Sequence, residues 1–112
     1  SIARSICRLA EHILSECPET HLYLQSLLPI NESFGRYKRL NGKTSCFAAI
    51  NAQLEEWVNE HHDPRLTFVN LYPLFIEREG SDVLKAELTT DGLHLREEGY
   101  RIWAKALRKA LK

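Results

Sequence analysis

The chain has 112 residues, with 15 Lys and Arg balanced by 15 Asp and Glu, 44% hydrophobic residues, five glycines and four prolines. That size and composition describe one ordinary globular domain or part of one, and a formal charge of zero lacks the basic excess of a non-specific nucleic-acid or membrane-surface binder. No apolar run approaches the ~18 residues of a membrane span. Three cysteines, Cys7, Cys17 and Cys46, are an odd number with no CxxC pair, so neither a disulfide framework nor a zinc site is expected. The chain begins Ser-Ile-Ala-Arg and contains no methionine, so it is read as a portion of a longer protein, and its start says nothing of export or compartment.

In chain order, Ile2, Ile6, Leu9, Ala10, Ile13, Leu14 and Cys17 repeat with helical period, and Pro18 stops the predicted helix. His21 to Leu28 is a dense Leu and aromatic run closed by Pro29, which predicts a strand of a parallel sheet, buried on both faces. Residues 29 to 45 lack periodicity and read as a loop of functional length. Phe47, Ile50, Leu54, Trp57 and Val58 define a second helix over Cys46 to Asn59, with Thr44 or Ser45 as its expected cap and Trp57 as an expected core residue. Leu66 to Leu71 is β-branched and aromatic, a second buried strand ending at Tyr72-Pro73. After a polar loop, Ile102, Trp103, Ala106, Leu107, Ala110 and Leu111 form the stripe of a last helix over Glu97 to Leu111. Its acidic start, Glu97 and Glu98, and basic end, Lys109 and Lys112, suit the helix dipole.

Helix, strand, helix, strand, helix is the alternation of a doubly wound α/β sheet. Two strands would leave both outer edges of such a sheet unpaired, so further strands are expected to lie outside this chain.

The sharpest motif is Thr89-Thr90-Asp91-Gly92-Leu93-His94-Leu95, after the last strand and before the last helix, where open α/β sheets carry their chemistry. An Asp three residues before a His, in a turn freed by Gly92, places a carboxylate against imidazole Nδ1. That fixes the tautomer and leaves Nε2 as a base for a nucleophile. The plainer alternative makes Asp91 a turn residue and His94 a histidine satisfied under the last helix, and the pair alone does not choose between them.

Residues 91 to 104, Asp-Gly-Leu-His-Leu-Arg-Glu-Glu-Gly-Tyr-Arg-Ile-Trp-Ala, resemble the last conserved block of the SGNH, or GDSL, hydrolase family. Ser26-Leu-Leu-Pro-Ile-Asn31, Phe34-x-x-Tyr37 through Ile50-Asn51, and Thr67 to Pro73 are similar, in order, to that family's later half. The resemblance implies a flavodoxin-like α/β/α sandwich with a parallel sheet. It also implies an ester hydrolase in which His94 is the general base and Asp91 its orienter, acting on a small ester such as an acylated sugar or lipid. The family's nucleophilic serine and oxyanion donors lie in earlier blocks, and none of these occurs here. The seven serines include no Gly-Asp-Ser and no Gly-x-Ser-x-Gly elbow.

Residues 1–112 are therefore expected to be the C-terminal portion of one hydrolase domain, its partner the missing N-terminal half in cis or in trans. Alone, the chain is expected to be inactive. The competing expectation is a non-catalytic piece that associates, as a homo-oligomer for instance, through an uncovered sheet edge and helix faces. Arg96 departs from the capping residue usual at that place in the family and leaves the helix start open.

No cofactor or metal is expected. Gly42-Lys43-Thr44 lacks the earlier glycine and preceding strand of a phosphate loop, no glycine-rich loop for a flavin is visible, and the adjacent side chains of His61-His62-Asp63 diverge. Asn31-Glu-Ser33 is a formal glycosylation sequon. Tyr72 and Phe75 are expected to pack rather than line a pocket.

Overall fold

A computed structural model describes residues 1–111. Helix α1 spans Ile2–Glu16, with the Ser1 hydroxyl accepting from the Arg4 backbone N–H at 3.2 Å as its N-cap. Strand β1 is Leu22–Gln25, helix α2 is Thr44–His61, strand β2 is Leu66–Val69, a one-turn helix α3 is Tyr72–Phe75, and helix α4 is Glu97–Ala110. Short 3-10 turns occupy Glu32–Phe34, Lys38–Leu40 and Ala86–Leu88. No described helix is long and apolar enough to cross a membrane.

Strands β1 and β2 pair in parallel, Leu22 opposite Leu66 through Gln25 opposite Val69, with α2 in the crossover a parallel pair requires. On one face, Val69, Leu71, Phe75, Leu84 and Leu88 form the main core. Tyr23, Leu28, Leu95 and, from α4, Ile102, Trp103 and Leu107 pack against it. Alternation along β1 turns Leu22 and Leu24 to the other face, the side of α1 and α2, whose inner residues Ala3, Ala10, Leu14 and Leu54 are buried. The arrangement is a partial α/β/α sandwich.

The expected elements form, with three corrections. The strands are shorter than the apolar runs, and β1 is half-buried along its whole length rather than buried on both faces. A sheet of two strands, the number among the described residues, gives each strand one unpaired edge and less helix cover than a central strand receives. Helix α2 begins two residues earlier than expected. Its cap position is Lys43, which makes no side-chain cap; Thr44 lies inside the first turn, and its hydroxyl donates to the Glu32 carboxylate, which also accepts from the Gly42 N–H. Trp57 is half-buried, tilted against the His61 ring at 4.8 Å, on a helix that packs chiefly upon α1 and β2. At the chain's end, Lys112 lies outside the described residues, while Arg108 and Lys109 supply the basic last turn of α4.

Candidate active site

The segments leaving the carboxyl ends of the two strands are stitched together by backbone hydrogen bonds. After β1, the Ile30 carbonyl accepts from Leu84 N–H at 3.0 Å, and the Asn31 N–H donates to the Gly92 carbonyl at 2.8 Å. After β2, Lys85 N–H donates to the Phe75 carbonyl at 2.9 Å. Ser26 Oγ, buried at the end of β1, accepts from the N–H groups of Leu71 (2.9 Å) and Tyr72 (3.1 Å) and so caps α3. Asn31, also buried, donates its amide to the Leu84 carbonyl at 2.9 Å, and its Oδ1 accepts from Ser33.

These bonds hold the turn from Thr89 to Leu95. Thr89 is 1% exposed; its hydroxyl donates to the His94 carbonyl at 2.6 Å and accepts from Gly92 N–H at 2.9 Å. Gly92 is buried with φ +92°, and a β-carbon there would run into the Asn31 carbonyl oxygen. Only glycine satisfies both constraints.

Within this turn Asp91 and His94 face each other. Asp91 Oδ1 accepts from the backbone N–H groups of Leu93 (2.9 Å) and His94 (2.8 Å). Asp91 Oδ2 lies 2.7 Å from His94 Nδ1 and accepts from the Tyr37 hydroxyl at 2.9 Å. Four donors thus converge on one carboxylate. The His94 imidazole beside it, followed by the His94 and Leu93 N–H groups, holds the Asp91 carboxyl well below the usual carboxylate range. An ionised carboxylate only accepts, so the proton between the two side chains sits on Nδ1 and the lone pair of neutral His94 sits on Nε2. Asp91 is largely buried (side chain 13% exposed) and His94 is open (63%). The arrangement presents an oriented imidazole at the surface beyond the strand ends.

The sequence motif therefore comes together as read: turn, carboxylate, Nδ1 contact. Tyr37, which the sequence reading gave no role, also reaches the pair, with its ring edge-on to His94 at 6.0 Å between centroids. The neighbouring carboxylate pushes its hydroxyl above the ordinary tyrosine range. It is 54 residues from Asp91, and nothing local in the sequence marks that contact.

Of the seven serines, none among the described residues hydrogen-bonds the His94 ring. Tyr72 and Phe75 are buried as expected, the Tyr72 hydroxyl donating to Asp82 at 2.9 Å. Arg96 stands at the N-cap position of α4 without a side-chain cap, and its Nε donates instead to the Thr89 carbonyl at 3.2 Å, a further tie on the turn. Asp63 serves Arg65, accepting from its backbone N–H and guanidinium at 2.8 and 3.1 Å.

No family model matches the chain, and no curated protein matches it in sequence. Solved structures do. A Streptococcus pneumoniae protein named for platelet activating factor superposes with a TM-score of 0.82 at 25% identity, over 98% of this chain and 50% of its own. The esterase domain of the ORF1 protein of the zebrafish ZfL2-1 retrotransposon gives 0.75 at 26% identity, over 98% and 56%. A GDSL-like lipase of Bacteroides thetaiotaomicron gives 0.73 at 24% identity, over 94% and 49%. The chain spans about half the length of these proteins. Its fold is that of the GDSL-like lipases and acylhydrolases, an esterase-type hydrolase scaffold that it matches over about half of each neighbour's length.

Proposed function

We propose that this chain is the C-terminal portion of a serine ester hydrolase and supplies two members of its Ser-His-Asp triad. The observation that carries the reading is the 2.7 Å contact of Asp91 Oδ2 with His94 Nδ1, on a carboxylate saturated by three further donors. His94 Nε2 removes the proton as a serine Oγ attacks the acyl carbon. It returns that proton to the leaving alcohol as the acyl-enzyme forms. Water then repeats the sequence, releasing the carboxylic acid and freeing the serine. Asp91 stays ionised throughout, holding the ring and stabilising the imidazolium. The serine and the oxyanion donors come from the N-terminal half of the domain, in cis or on another chain, since this chain carries no elbow sequence and its buried Ser26 hydroxyl is committed to α3. The substrate class is a small carboxylic ester, with acetyl or short acyl groups on a sugar or lipid.

The test is labelling of the full-length protein with a fluorophosphonate probe, followed by intact mass and peptide mapping. One adduct on a serine outside residues 1–112 is the expected result. An adduct on one of this chain's seven serines overturns the placement of the nucleophile, and no adduct at all overturns the serine mechanism.

A second reading makes the isolated chain a non-catalytic piece that pairs with a second copy of itself. The exposure of Ile2 (58%) and Leu9 (60%) on α1, with the half-buried β1, favours it. Sedimentation of the isolated chain as a stable 13.0 kDa monomer would contradict it.

A further inference from the structure

Asp91 Oδ2 receives two donors, and only one of them belongs to the catalytic turn. The second comes from Tyr37 in the segment after β1, at 2.9 Å from Oδ2 and 3.4 Å from His94 Nδ1. Tyr37 stands where its backbone is tied and a cation lies near its ring. It opens the 3-10 turn Lys38–Leu40, whose Leu40 N–H donates to the Tyr37 carbonyl at 2.9 Å, and the Arg39 guanidinium lies 5.7 Å from its ring centroid. The same segment is joined to the catalytic turn through the Asn31 to Gly92 backbone bond. Tyr37 thus donates from outside the turn, to the oxygen that binds the imidazole.

We propose that Tyr37 is a positioning residue for the Asp91 and His94 pair: its phenol holds the oxygen that orients the imidazole and sets how strongly that oxygen supports a proton on His94. The inference rests on the ester-hydrolase reading for its catalytic consequence, though not for its effect on His94. A hydrogen bond to a carboxylate draws charge away from it, so less of that charge is left to stabilise the imidazolium. Removing the phenol proton concentrates the carboxylate charge on His94 and raises the pH at which the ring protonates. It also frees one side of Oδ2, letting the ring depart from its productive angle. The group that reaches the pair from another element is the Tyr37 hydroxyl, and the cations Arg36 and Arg39 of the same segment act on Tyr37. The two cations remain when only the hydroxyl is removed.

The experiment is an NMR titration of the His94 imidazole in the full-length protein, compared with Tyr37→Phe and with a variant carrying 3-fluorotyrosine at position 37. The Phe variant keeps the ring, and its melting temperature checks that it folds. The expected result is a His94 midpoint about half a pH unit higher in Tyr37→Phe. The fluorinated phenol is a stronger donor and should lower the midpoint below wild type. The acid limb of kcat/KM for a short-chain aryl ester should move up in parallel with the first shift, with plateau kcat about 5-fold lower. An unchanged His94 midpoint in both variants, whatever the melting temperature does, overturns the proposal. The two readings fail separately. If the protein hydrolyses no ester, activity is absent in every variant while the His94 shifts persist; if only the positioning role is wrong, wild type turns over ester and the midpoints coincide.

Discussion

Asn51 of α2 makes both hydrogen bonds to Leu27 that a neighbouring strand would make. Its Oδ1 accepts from the Leu27 N–H at 2.7 Å and its Nδ2 donates to the Leu27 carbonyl at 3.0 Å. The strand ladder stops at Gln25, and this amide continues the backbone pairing two residues further, into the segment that carries Asn31 and Tyr37 toward the site.

Asn51→Leu keeps the volume and strands both Leu27 groups in a part-buried place. It is expected to cost about 1–3 kcal/mol, read as a lower urea midpoint with unchanged slope. Asn51→Asp retains only the acceptor and should fall nearly as far at neutral pH. A loss below about 0.5 kcal/mol in both variants would show that water replaces the amide without penalty.

Gly92→Ala meets two obstacles, a positive φ of 92° and the Asn31 carbonyl in the path of the new β-carbon. The turn must open to accept it, with an expected destabilisation of about 2–4 kcal/mol and loss of the Asp91 to His94 contact. Gly80→Ala is the control, since φ is +86° there but nothing lies within 4 Å. Its cost should stay near 1 kcal/mol. Equal melting temperatures for the two variants would contradict the close approach.

Stability should fall as the solution is acidified. The carboxyls of Asp91, Glu32 and Asp63 are all held below their ordinary range, chiefly by hydrogen bonds from His94, from Thr44 and Gly42, and from Arg65. A depressed folded-state pKa gives stability that is present above the unfolded value, near 4 for carboxylates, and is lost as pH drops through the folded value. Glu32→Gln removes one such group, so its deficit against wild type should be clear at pH 7 and shrink below about pH 4. A deficit that stays constant from pH 7 to pH 3 would show that Glu32 acts without its charge.

These tests also mark how far the sequence could be read. The helices and strands were legible because periodicity is local: the stripe from Ile2 to Leu14 and the β-branched run from Leu66 need nothing distant to be recognised. The Asp91 and His94 contact was legible for the same reason, being made across three residues with Gly92 to allow it. The start of α2 was not, because Thr44 begins the helix instead of capping it, and its hydroxyl is engaged by Glu32 from 12 residues away. Tyr37 was missed because it meets Asp91 only through the fold. Asn51 did leave a signal, a lone amide four residues after Phe47 and three before Leu54 on an apolar face, where a buried amide needs a partner. Trp57 and β1 are half-buried, which the local pattern does not show, since burial depends on what other elements pack against them.

The most direct test of the hydrolase reading is the kcat/KM of the full-length protein and its His94→Ala variant on a short-chain aryl ester. A fall of 10²-fold or more, with the melting temperature preserved, is expected if His94 is the base of the triad. Equal turnover by the two proteins would contradict that role and with it the proposed chemistry of the Asp91 and His94 turn.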